Sequence, residues 1–280
     1  GAIDQKICKK IYVFEKNQKY RNQIKRINKK IIFIKKLDRK IEDMDFVVIA
    51  TPMSEYKKII VQLNYFLGNK TLITDVGSTR GNVAKLIKEQ LSKKLNWIMS
   101  HPISGSEASG PKYGRKNLFK NKWCILIKNN KNKKQINKLV SFWKKLGSKV
   151  IFMNEVQHDK IFSVTSHLPH LIAYNLIKTA QDFQRLHKEN IIRYSAGGLR
   201  DFSRIAASNE IMWRDIFFNN SKNMSKIIDL FIKNLKNFKL DINKKRNLIL
   251  INKLKNSKKV RRKILLLKQD VSEPDFGRDN

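Results

Sequence analysis

Residues 46–52 read Phe-Val-Val-Ile-Ala-Thr-Pro, and residues 71–81 read Thr-Leu-Ile-Thr-Asp-Val-Gly-Ser-Thr-Arg-Gly. Each is a short apolar run that stops in a polar turn, and the segment between them has the apolar spacing of a helix. Apolar runs without polar alternation suit strands covered on both faces, with helices as the crossovers. The same alternation extends outward, with further runs at 11–14, 31–34, 97–99, 123–127 and 150–152. It predicts an α/β domain on a doubly wound parallel sheet over residues 1–153. After Met153 the strand signals stop. Apolar residues at Ile161, Leu168, Leu171, Ile172 and Leu176 open a helical spacing that runs on to Leu267, so residues 154–280 read as an all-α domain. Two domains agree with a chain of 280 residues at about 150 per domain. Ile211, Met212, Trp213, Ile216, Phe217 and Phe218 look too apolar for so small a domain to cover, which predicts an oligomer interface built from helices.

Composition narrows the function. The formal net charge is +37 with 30% charged and 41% hydrophobic residues, which fits a folded protein and invites a polyanion-binding reading. Lysine, however, is spread along the whole chain together with Asn and Ile, as A- and T-rich coding would produce, and no concentrated basic face is evident. Salt-dependent sticking to polyanions is expected, but no specific nucleic acid. The run from 128 to 138 reads as a solvated turn and helix face, and the tail from 270 to 280 as loose. Cys8 and Cys124 form no metal-ligand spacing, so no metal is expected, and a reducing cytoplasm fits best. No apolar run approaches the roughly 20 residues that span a bilayer, and no charged segment followed by an apolar one marks a secretory signal.

Ligands of such a sheet bind at the carboxyl ends of its strands. After the run at 11–14 comes Glu15, placed to accept the hydroxyls of an adenosine ribose and to repel a 2′-phosphate, which favours NAD over NADP. Thr51 and Pro52 end the third run. The next turn carries Ser78 between two glycines, though Ser78, Thr79 and Asn82 would also serve as helix caps. After 97–99 comes Ser100-His101-Pro102-Ile103-Ser104-Gly105-Ser106-Glu107, where a histidine at a strand end could exchange a proton with a substrate. No GxGxxG fingerprint occurs. Residues 11–14 followed by Glu15 therefore read as a second strand, and the first strand with its phosphate loop is expected before residue 1. In the helical half, His167 and His170 lie three apart around Pro169. Asp201 and Arg204, also three apart, could pair on a helix face, or Arg204 could present its planar fork to a substrate carboxylate.

Taken in order, Asp75-Val-Gly-Ser78, His101-Pro-Ile-Ser-Gly-Ser-Glu107, Ser166-His-Leu-Pro-His170, Asp201-Phe-Ser-Arg204 and Ile211-Met-Trp-Arg-Asp215 resemble the prephenate dehydrogenase family, with its cyclohexadienyl and arogenate members. The resemblance covers essentially the whole chain. It implies a Rossmann-type domain, then a helical domain through which a homodimer forms, and NAD(P)-dependent oxidative decarboxylation of prephenate or arogenate in tyrosine synthesis. It also implies roles: His101 bonds the ring hydroxyl, Ser78 orients it near the nicotinamide, and Arg204 binds a substrate carboxylate. Glu107 and Asp201 belong to an ionic network around that Arg, Ser106 and His170 line the substrate pocket, and Trp213 reaches the site from the partner subunit. The missing glycine fingerprint is the departure from the family pattern. Two other readings compete. A hydroxyacid or imine dehydrogenase on the same scaffold explains the strands and Glu15 without requiring His101, His170 and Arg204 together. A basic protein associated with nucleic acid would be revealed by salt-dependent polyanion binding.

Overall fold

The computed structural model describes residues 2, 6–105, 109–128 and 132–267. The chain divides into two compact units, Gly1–His167 with Ala207–Ser221, and Leu168–Ala206 with Lys222–Asn280. The first unit begins with β1 (Ile11–Val13), α1 (Gln18–Ile27) and β2 (Ile31–Phe33), whose strands pair in parallel. Here the expectation of two covered faces fails, because Tyr12 is 37% exposed and Ile32 40% exposed while their neighbours are half-buried. α1 packs against β2, with Lys25 Nζ 5.8 Å from the centre of the Phe33 ring.

The central strands behave as their sequence predicts. β3 (Phe46–Ile49), α2 (Tyr56–Phe66), β4 (Leu72–Asp75), α3 (Gly81–Gln90) and β5 (Asn96–Trp97) form a parallel sheet in the order β3-β4-β5. All four residues of β4 are buried. Alternate side chains divide between two cores, as strand geometry demands. Ile73, Trp97 and Met99 pack with Ile60 and Leu63 of α2 and Val83 of α3. Leu72, Ile98 and Cys124 pack with Leu139 and Trp143 of α4 (Lys133–Lys145) on the other face.

The run at 97–99 does not end where the sequence suggested. After β5 the chain continues into β6 (Ser100–Pro102), which pairs antiparallel with β7 (Trp123–Ile127), and β7 pairs in parallel with β8 (Lys149–Met153). His101 therefore lies inside a strand, opposite Ile125, and one antiparallel pair joins an otherwise parallel set. The two pieces connect through Ile98 N–H to Ile73 O at 2.9 Å and Ile127 N–H to Met99 O at 3.0 Å.

The described residues after β8 are mostly helical: α5 (Glu155–Phe162), a π-helical turn (Ser163–His167), α6 (Leu168–His187), α7 (Gly197–Ala206), α8 (Glu210–Asn219), α9 (Ser221–Asn243) and α10 (Asn247–Leu266). Asparagine caps recur: Asn17, Asn132, Asn154 and Asn209 each accept a backbone N–H of the first turn. The π turn falls where Pro169 removes a donor and crowds the preceding turn. α8 modifies the expectation for its apolar residues. Trp213 and Ile216 are buried within the first unit, and Ile211, Met212 and Phe218 remain exposed. In the second unit, buried Asp241 of α9 pairs with Arg246 and with Lys253 of α10, while Leu230, Leu235, Ile242, Leu248 and Leu254 are exposed. No helix among the described residues is long and apolar enough to cross a membrane.

Candidate active site

The register that aligns Ile49 with Asp75 brings the carboxyl ends of β3 and β4 level, so the turns at 51–52 and 76–80 leave the sheet side by side. Asp75 is fully buried and heavily bonded. It accepts from Tyr56 Oη, Trp97 Nε1 and Gly77 N–H, each at 3.1 Å, and pairs with Arg80 Nη2 at 2.8 Å. Arg80 is itself 0% exposed and also donates from Nε to Thr79 O at 2.7 Å and from Nη1 to Ser100 O at 3.2 Å. Burial opposes its charge, and the Asp75 carboxylate outweighs burial. The Tyr56 phenol is pushed well above its ordinary range by burial and then by Asp75, so it stays a donor. Gly77 is required by this packing: a Cβ there would collide with Arg80 Nη2 and lie 3.0 Å from Tyr56 Oη.

The helix that follows is capped from a distance. Neither Ser78, Thr79 nor Asn82 caps α3. Instead Asp159 of α5 accepts Arg80 N–H and Gly81 N–H, both at 2.8 Å, on its two oxygens. Ser78 is half-buried between buried Gly77 and buried Thr79.

Asp159 also bonds its neighbour. His158 Nδ1 lies 2.9 Å from Asp159 Oδ1, and His158 Nε2 lies 2.8 Å from His101 Nδ1. Phe162 stacks on His158 with ring centroids 4.4 Å apart and packs against His101 at 5.1 Å. Burial drives the His101 pKa well below its ordinary value, with His158, Arg80 and His167 acting in the same direction. These effects favour the neutral form of the His101 imidazole. His158 is lowered as well, chiefly by burial. Burial pushes the Asp159 carboxyl up, but His158 and the two backbone donors prevail and hold it below the usual carboxylate range. Asn220 Nδ2 closes the arrangement, reaching Asp159 O at 2.8 Å and His167 Nδ1 at 3.1 Å.

The other expected site residues are distributed as follows. Glu15 is half-buried after β1 and accepts Asn17 N–H at 2.8 Å, and Thr51 and Pro52 are exposed after β3. Trp213 is 5% exposed, edge-on to His167 and beside Phe217 of the same chain. Its neighbour Asp215 accepts Ser54 N–H at 3.0 Å. In the second unit, His170 is half-buried on α6, and α7 carries half-buried Asp201 and exposed Arg204. Ser106 and Glu107 lie outside the described residues. Among the described residues no cluster of His, Cys, Asp and Glu could hold a metal. Roles for Tyr56, Arg80, Trp97, His158 and Asp159 have no clear sequence signal, since most of their partners lie tens of residues away. The adjacent His158 and Asp159, in the helix that Asn154 caps, are the one visible hint.

A buried imidazole beside the carboxyl edge of a Rossmann-type sheet, with helices following that sheet, fits the class of nucleotide-binding enzymes with a helical second domain. Comparison with known proteins makes the assignment specific. The sequence model described as prephenate dehydrogenase, nucleotide-binding domain, matches residues 3–152, and that described as prephenate dehydrogenase, dimerization domain, matches residues 154–256. The chain belongs to the prephenate dehydrogenase family. It is similar to the cyclohexadienyl dehydrogenase of Zymomonas mobilis, with 29% identity covering 93% of this chain and 88% of that protein. The prephenate dehydrogenase of Bacillus subtilis is 35% identical over 66% of this chain, which spans 49% of that relative's length. The crystal structure of Aquifex aeolicus prephenate dehydrogenase in complex with hydroxyphenyl propionate and NAD+ superposes with a TM-score of 0.84 at 32% identity, covering 94% of this chain and 92% of that one.

Proposed function

We propose that this protein catalyses the NAD-dependent oxidative decarboxylation of prephenate to 4-hydroxyphenylpyruvate, as a homodimer formed through its helical domain. The observation that carries the reading is His101: an uncharged imidazole with Nδ1 engaged by His158, which leaves Nε2 for a substrate hydroxyl. Prephenate bears a hydroxyl on a non-aromatic ring. Removing hydride from that carbon develops a carbonyl as the hydroxyl proton moves to His101 Nε2. Loss of the opposite carboxylate as carbon dioxide then makes the ring aromatic as a phenoxide, which takes the proton back from His101 to give the phenol of the product, and aromatisation supplies most of the driving force. The protein's task is to align the ring and accept that proton.

The residues at the sheet edge fit a nicotinamide dinucleotide in part. A carboxylate has about four acceptor positions, so Glu15 can receive ribose hydroxyls while it holds Asn17, and its charge disfavours a 2′-phosphate. NAD, when bound, supplies the hydride acceptor. Ser78, half-buried in the turn fixed by Asp75 and Arg80, orients the substrate hydroxyl. Arg204 binds a substrate carboxylate by its fork of donors. Ser106, Glu107, His170, Asp201 and Trp213 are assigned to the substrate surroundings by family resemblance. The positive field of a +37 chain favours capture of a dianion. Exposed apolar residues on α9 and α10 support the homodimer.

Replacing His101 tests the reading. His101→Asn in the full chain should lower kcat with prephenate by about 10²- to 10⁴-fold, the usual contribution of a general base, with little change in KM. Turnover near that of the unaltered enzyme would remove His101 from this role. Parallel assays with arogenate establish which of the two substrates is preferred.

A further inference from the structure

We infer that His158, oriented by Asp159, is a positioning residue that fixes the tautomer of His101, holding the proton on Nδ1 and the lone pair on Nε2. The inference rests on the reading of His101 as base given above. It follows from counting donors along a buried chain of three groups. Asp159, held as a carboxylate by Arg80 N–H and Gly81 N–H, can only accept, so the bond from His158 Nδ1 must be an N–H. A neutral imidazole carries one N–H, so His158 Nε2 must accept. Its partner 2.8 Å away, His101 Nδ1, must then donate. His101 Nε2 is left without a proton, as a base requires.

The surroundings support a neutral chain. His158 is 0% exposed and Phe162 stacks on it. The charged and titratable groups that act on the two rings are Asp159, Asp75, Arg80 and His167, and burial lowers both histidines. When the substrate proton reaches His101 Nε2, both nitrogens of that ring carry protons. Its Nδ1–H still donates to His158 Nε2, and Asp159 provides a negative charge at the far end of the chain. No other bond changes in these two side chains.

This role separates from mere packing by two readouts. The first is nitrogen-15 NMR of the full chain with labelled histidine at neutral pH. Five histidines are present, and the His101→Asn and His158→Gln variants assign the two signals. The Nδ1–H form of both rings is expected. A wild-type enzyme with His101 in the Nε2–H form overturns the inference, whatever its activity.

The second readout is kinetic. His158→Phe keeps a ring but provides no acceptor, and should lower kcat roughly 10- to 10²-fold, part of what a general base supplies, with KM little changed. His158→Gln, whose amide oxygen accepts from His101 while its NH2 donates to Asp159, should recover most of that loss. Equal kcat for the Phe and Gln variants overturns the inference. Failure of the underlying reading looks different: His101→Asn would then keep its turnover even with both rings in the expected form.

Discussion

Arg80 lies beneath the proposed site at 0% exposure, and its removal exposes how the fold holds the turn that carries Ser78. Consider Arg80→Met, which keeps an unbranched apolar stem and deletes the charge. Asp75 then loses the 2.8 Å ion pair and keeps Tyr56, Trp97 and Gly77 as its donors at 3.1 Å. A buried charge stripped of its partner costs about 3–5 kcal/mol. At about 2–4 °C per kcal/mol for a protein of about this size, that is a Tm lower by about 6–20 °C. Ser100 O also loses a donor, which pushes the value towards the upper end. Urea unfolding followed by tryptophan fluorescence suits the measurement, because Trp97 donates directly to Asp75. The double variant Asp75→Asn with Arg80→Met removes both charges and should regain more than half of the loss. A cost below about 1 kcal/mol, the level of an exposed ion pair, would refute the reasoning, as would a double variant less stable than Arg80→Met alone.

Two further outcomes are expected. Arg204→Ala should mainly raise KM for prephenate, since it removes a binding fork and no proton acceptor, and an unchanged KM would count against carboxylate binding. Acid should destabilise the fold. His101 and His158 have lowered pKa values, so near pH 6 the unfolded chain binds protons that the native chain does not, and stability rises with pH there. Their contribution is complete above the unfolded histidine pKa of about 6.5 and is lost as the pH falls below it. Asp159, lowered as well, adds to the loss once the pH falls below about 4. The urea midpoint should therefore drop between pH 7.5 and pH 5, with a shallower drop in His101→Asn. Parallel profiles for the two proteins would remove His101 as a cause.

Much of this architecture is legible in the sequence because burial on both faces leaves a plain mark. The apolar runs at 46–50 and 71–74 become β3 and β4, and β4 is buried at every position. Where only one face is covered the mark misleads: residues 11–14 look equally apolar, yet Tyr12 and Phe14 are each 37% exposed. The antiparallel turn of β6 was hidden, since Ser100, His101 and Pro102 are poor strand formers by type and are held by pairing with β7. His101 and Ser78 stand out in the sequence because each comes shortly after an apolar run. The Asp159 cap could not, because its donors at Arg80 and Gly81 are 79 and 78 residues away. Chain spacing carries no trace of a bond made across the fold.

Product accounting on the full chain tests the central claim most directly. Incubation with prephenate and NAD+ should yield reduced nicotinamide, carbon dioxide and 4-hydroxyphenylpyruvate in equal amounts. Reduced nicotinamide without carbon dioxide, or no reduction from prephenate or arogenate with either NAD+ or NADP+, would contradict it.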